Sequence, residues 1–275
     1  AATGDIVFKV FLTGSTIELD QLRAIIHGDE GGPAPSADHD DAEGLASAGL
    51  IKVKATLTDG DNDYDNQTVN IGDALSFEDD GPSVTLSGSS IDLTVDETVL
   101  TTDDTDNVAN LFTLDAGEDG QKSVKYELEV SSSGADSGLV DTATGNSVFL
   151  FLESGQVVGR EGTDATDAAT GDIVFKVFLT GSTIELDQLR AIIHGDEGGP
   201  AGDPSHDDAE GLASAGLIKV KATLTDGDND YDTETANIGD ALSFEDDGPD
   251  VGPDDASISL TVDETVLTTD DTDNV

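Results

Sequence analysis

The chain has no cysteine, so it can form neither disulfides nor a thiolate metal site, and it offers no cysteine nucleophile. It is also short of positive charge: 11 Lys plus Arg stand against 60 Asp plus Glu, a formal net charge of −49. That balance excludes nucleic acid as a partner and makes self-repulsion an obstacle to compaction unless cations neutralise it. No apolar run approaches the ~18 residues that a helical membrane span needs. The glycine-rich phosphate loops and the H-E-x-x-H and G-x-S-x-G signatures are missing as well. Glycoside hydrolysis by paired carboxylates needs one acid with a raised pKa in an apolar cleft. The acids here fall in polar turns, with no Trp and three Tyr in the chain, so no enzyme is expected. The first residue is Ala1, with no basic and apolar leader behind it, which reads as a piece cut from a longer protein.

High negative charge with few aromatics is the composition of a disordered chain. The apolar residues, however, are gathered into alternating runs between Gly and Asp clusters, which is the pattern of strands and turns. Ile6 to Thr13 places Ile6, Phe8, Val10 and Leu12 on one face. Thr16 to His27 fits either a continuing strand or a short helical turn. His27 to Glu43 reads as an exposed acidic loop, with His27 and His39 as solvated side chains in it. Leu50 to Thr58 alternates most cleanly, with Ile51, Val53, Ala55 and Leu57 inward and Lys52, Lys54 and Thr56 outward. The two lysines suit cross-strand pairing with carboxylates. Further strands are expected around Ile91 to Val95, Val124 to Val130, Ser147 to Glu153 and Gln156 to Arg160. Many short strands between Gly and Asp turns predict an all-β, antiparallel, Ig-like β-sandwich.

Internal repetition sets the organisation. Residues 1 to 108 align without a gap on residues 168 to 275, at an offset of 167, and 14 of the 108 positions differ. One complete repeat is expected at 82–248, from Pro82 to Gly248. Residues 1–81 then read as the C-terminal part of a preceding repeat, and 249–275 as the start of a following one. Two stacked subdomains per period also fit its length.

The repeat is organised around Thr58 to Asp65 (TDGDNDYD), where Asp59, Asp61, Asp63 and Asp65 alternate within one tight turn, and the octet returns with Asp226, Asp228, Asp230 and Asp232. Two unit charges about 5 Å apart repel by roughly 1 kcal/mol in water and by several times that near a protein surface. Four carboxylates together therefore call for a hard, oxygen-seeking cation such as Ca²⁺. The turn is not an EF-hand, because Tyr64 stands where that loop needs Gly and Asn70 where it needs Glu. A second group is expected at the boundary between repeats. Glu78, Asp79 and Asp80 precede Pro82, with Asp96 and Glu97 one strand beyond; Glu245, Asp246, Asp247, Asp263 and Glu264 repeat the pattern.

The phrases LTVDETVLTTDDTDN, DSGLVDTATG, LDQLRAIIHGDE, LTDGDNDYD and LSFEDDGP resemble the long tandem repeat of giant bacterial adhesins of the repeats-in-toxin class, exported by type I secretion. The resemblance implies an extracellular β-sandwich extender at the bacterial surface, stiffened by Ca²⁺ at turns and linkers. Its neighbours are further repeats of the same chain, and it holds an adhesive tip away from the cell for attachment or biofilm formation. The GGxGxD nonapeptide of the Ca²⁺ β-roll is absent. A spacer asks only for length and stiffness, so near-identical copies suit it. The alternative is a Ca²⁺-dependent module that binds carbohydrate or another surface ligand.

Overall fold

A computed structural model describes residues 4–28, 42–195 and 208–248, together with 260–262, 264–265 and 270–272. The stretch before Pro82, the first unit, forms three two-stranded sheets. β1 (Phe8–Thr13) pairs with β2 (Thr16–Gln21), β3 (Ala42–Gly44) with β6 (Ser76–Glu78), and β4 (Lys52–Thr58) with β5 (Tyr64–Asn70), all antiparallel. The open choice at Thr16 to His27 resolves as strand, without a helical turn.

The second unit begins with β7 (Ser83–Leu86), β8 (Leu93–Asp96), β9 (Asp104–Asn107) and β10 (Phe112–Asp115). The long β11 (Gln121–Val130) follows, and then the meander β12 (Ala135–Val140), β13 (Ser147–Glu153) and β14 (Gln156–Gly162). After the single-turn helix α1 (Ala165–Ala168) come β15 (Ile173–Thr180), β16 (Thr183–Gln188), β17 (Ala209–Gly211), β18 (Ile218–Asp226), β19 (Tyr231–Asn237) and β20 (Leu242–Glu245).

The fold is all-β and sandwich-like. A six-stranded antiparallel sheet of order β12-β13-β14-β15-β16-β9 is faced by the antiparallel sheet β11-β18-β19, with β11 packed across β13, β14 and β15. Alternation decides which side chains enter between them: Ile218, Val220, Ala222 and Leu224 of β18 are all fully buried, while Lys219 and Lys221 point outward. In register these two lysines lie opposite Glu129 and Glu127 of β11, the carboxylate placement that the sequence calls for. Buried apolar side chains from Val84 to Phe244 form one cluster, so the sheets of this stretch share a core. Gly159 is required there, because a Cβ on it would run into the ring of Phe175, which itself packs 5.2 Å from Phe244.

One pairing departs from the antiparallel scheme: β20 runs parallel to β8, with Glu245 level with Asp96. This pair puts the acids that follow each strand at the same end of the unit.

Candidate metal centre

The turn Thr225–Asp232 closes the β18–β19 hairpin. Asp226 N donates to Asp230 O at 3.0 Å, and Asn229 takes the left-handed conformation (φ 93°) that lets the chain reverse. Asp232 leaves the cluster to tie the hairpin to the start of its unit, accepting from Val84 N at 2.7 Å and from Thr233 N at 2.7 Å. The remaining carboxylates of Asp226, Asp228 and Asp230 are buried and converge closely enough to share one metal ion. Neither oxygen of Asp226, whose exposure is 0%, has a hydrogen-bond partner.

Burial alone does not produce that state. Asp141 is equally buried, yet Arg190 binds it bidentately, Nε to Oδ1 at 2.8 Å and Nη2 to Oδ2 at 2.9 Å, and Thr144 adds further bonds. Burial pushes the Asp141 carboxyl up, but the hydrogen bonds from Arg190 and Thr144 bring it below the usual carboxylate range. Asp226 has no such partner. Burial first, and then Asp228 beside it, push its carboxyl up to about 7. A carboxylate this starved of positive charge suits a cation.

The linker between the two units joins the same cluster. Asp79 converges on Asp119 and Asp228 in a second group of metal-binding size, and its side chain is 1% exposed with both oxygens lacking hydrogen bonds. Burial and the neighbouring Asp230 and Asp228 raise its carboxyl to about 6, and burial, followed by Asp228, raises Asp119 too. His27 completes the junction: its backbone N–H donates to Asp228 Oδ2 at 3.1 Å and its Nε2 lies 3.9 Å from Asp79 Oδ1. Asp80 accepts from Glu118 N at 3.2 Å. Gly117, in the left-handed region (φ 64°), lets the β10–β11 turn sit against the Asp80 carbonyl, where any Cβ would collide. A cleft of about 330 Å³ opens beside these residues, lined by Arg23, His27, Asp79, Asp80 and Asp119 among others.

The sequence-predicted residues therefore divide. Asp226, Asp228, Asp230 and Asp79 come together; Asp232 has a structural role, Glu78 lies in β6, and Asp80 holds the Glu118 turn. Asp59, Asp61 and Asp63 also form a group of metal-binding size, but an exposed one, and Asp65 accepts from the adjacent Asn66 N at 2.8 Å. Glu97 does not join Glu78, Asp79 and Asp80. Because β8 runs parallel to β20, Glu97 lies with Asp246 at the far end of its own unit, where His194 is the third member. Asp96 instead caps the following turn, accepting from Thr98 N at 2.8 Å. Glu245 belongs to β20, Asp247 lines a cleft with Asp246, Glu264 is exposed, and Asp263 lies outside the described residues.

His27, His194 and Asp119 also enter these clusters, Asp119 from the Asp115 to Gly120 turn, whose acids read from the sequence as a weaker cation signal than the alternating octet. His27 is not a solvated loop side chain but is buried, because Asp228, 201 positions away, accepts from its backbone. His194 is its equivalent one repeat on, and Asp119 lies in a turn whose acids do not alternate. His39 lies outside the described residues, as does most of the loop assigned to His27 to Glu43.

A family described as "Domain of unknown function (DUF5801)" matches residues 1–72 and 92–239. The chain belongs to the DUF5801 family. The two matched stretches leave out 73–91, which contains the linker acids Glu78, Asp79 and Asp80 and Pro82. No curated protein and no solved structure matches the chain.

Proposed function

We propose that this chain is a calcium-stiffened extender of a large bacterial surface adhesin, exported by type I secretion. It acts outside the cell as a spacer without catalytic chemistry and projects an adhesive region for attachment or biofilm formation. The observation that carries the reading is the junction at Asp79. A buried carboxylate of the linker that accepts no hydrogen bond faces Asp119 and Asp228 of the following unit, so an ion held there couples the angle between units to its own binding. All-oxygen groups of this kind suit Ca²⁺, which takes 6 to 8 oxygens at about 2.3–2.6 Å. Weak sites of the extracellular type fill at millimolar Ca²⁺. An ion that binds only the folded state adds about 2.7 kcal/mol per site at a hundredfold excess over Kd, a large share of the roughly 5–15 kcal/mol that holds a domain folded.

Small-angle scattering and thermal melting of the 275-residue chain, each in Ca²⁺ and in EDTA, test this. The expected result is a longer maximum dimension and a higher Tm in Ca²⁺. An unchanged dimension with an unchanged Tm would overturn it and favour a ligand-binding module.

A further inference from the structure

Of the groups of metal-binding size among the described residues, all offer oxygen alone except one, which a histidine enters. At the far end of the second unit, Glu97, His194 and Asp246 converge beside a cleft of about 410 Å³. The side chains of His194 and Glu97 are 3% and 8% exposed, and His194 Nε2 lies 3.3 Å from Glu97 Oε1. Glu97 is oriented by Gln188 Nε2 at 2.9 Å and Ile192 N at 2.8 Å, both donating to Oε1. Oε2 remains for an ion, and such outer hydrogen bonds are what fix a ligand carboxylate. His194 Nδ1 is buried without a partner, so no backbone group claims the ring.

The same pair occurs one repeat earlier: His27 and Asp79 precede His194 and Asp246 by 167 positions. There Asp119 and Asp228 lie against Asp79, and the group they form does not include His27.

We propose that the cleft at the far end of the second unit holds a first-row transition ion of the zinc class, bound by Glu97, His194 and Asp246. Imidazole is the donor that separates this site from the all-aspartate groups, since it favours Zn²⁺ and its neighbours over Ca²⁺. The buried His194 ring, with no partner at Nδ1, is the group left for an ion.

The test is Co²⁺ titration of the whole chain in excess Ca²⁺, read by the visible absorption of cobalt in a nitrogen-containing site. The band is expected, with Zn²⁺ displacing it. His194→Gln should abolish it, Asp246→Asn should weaken Co²⁺ at least tenfold, and His27→Gln should leave it in place. Ring-proton NMR of the unaltered chain guards against a variant that misfolds: of the four histidines, Zn²⁺ should shift His194. A band that excess Ca²⁺ eliminates, a band that survives His194→Gln, or Zn²⁺ shifts confined to the other three histidines would overturn the proposal. Melting in Ca²⁺ on the same samples separates the two readings. A Ca²⁺-dependent Tm without the cobalt band sinks only the transition-ion site, and the band without a Ca²⁺-dependent Tm sinks only the calcium spacer.

Discussion

The same nine residues, IKVKATLTD, occur at Ile51 to Asp59 and at Ile218 to Asp226, and they live in different surroundings. Leu224 is fully buried and Leu57 is 77% exposed. The strand in the second unit lies between β11 and β19, whereas among the described residues β4 pairs with β5 alone. A two-stranded hairpin buries little by itself, so alternation specifies a face and leaves to another strand whether that face is covered. The turns repeat the lesson. Asp59 N donates to Asp63 O at 2.9 Å, as Asp226 N does to Asp230 O, and Asn62 has the positive φ of Asn229. The turn is therefore local in origin. Its electrostatics are not: hydrogen bonding from Asp61 holds the Asp59 carboxyl below the usual range, while burial lifts that of Asp226 to about 7.

The largest expected contrast is in the strands. Leu224→Ala should destabilise the second unit by about 2–5 kcal/mol through the cavity it leaves, and Leu57→Ala should stay within about 0.5 kcal/mol. Equal effects in denaturant titration would mean that β4 is as well covered as β18. Next come the turns. In EDTA at neutral pH, Asp226→Asn removes an uncompensated charge without changing shape. Tm should rise by a few degrees, at about 2–4 °C per kcal/mol for a unit of this size, and most of the gain from Ca²⁺ should disappear. Asp59→Asn should change neither quantity, and a loss of Tm in Asp226→Asn under EDTA would contradict the unpartnered state.

The raised acids also set a pH response. Between the ordinary carboxylate range and about 7, the folded, cation-free protein keeps protons on Asp226 and Asp79 that the unfolded chain releases. Stability contributed by these groups is therefore complete below about pH 4 and declines as pH rises towards 7. Added Ca²⁺ should stabilise increasingly over that same window, because it competes with those protons. A pH series of melting curves in EDTA and in Ca²⁺ reads both slopes, and parallel curves would rule the competition out. The smallest effect concerns two glycines of one turn. Gly117→Ala meets both a positive φ and the Asp80 carbonyl, whereas Gly120→Ala meets a positive φ in open space. Both should lose roughly 1–2 kcal/mol for the left-handed conformation, and only the first should also speed amide exchange at Glu118, whose N–H bonds Asp80.

The sequence made the local features readable and the distant ones not. The inward set Ile218 to Leu224 follows from period two, and the convergence of Asp226, Asp228 and Asp230 follows from alternate acids in a tight turn. The β8–β20 pairing joins residues about 150 apart, and nothing in either strand signals a parallel neighbour. That hidden pairing is why Glu97 belongs with Asp246 instead of Asp79. His27 escaped for a related reason. Its own surroundings, an acidic loop, read as solvent, and what buries it comes from the following unit.

The parallel pair has a mechanical meaning. Tension along the backbone reaches β20 from its carboxyl end and β8 from its amino end, so the two strands are drawn past one another along their lengths. The ladder from Leu242 opposite Leu93 to Glu245 opposite Asp96 is then loaded in shear. Its hydrogen bonds share the force together, whereas the β13–β14 hairpin, pulled open from its free ends, would release its bonds one at a time. A unit built this way yields late and all at once.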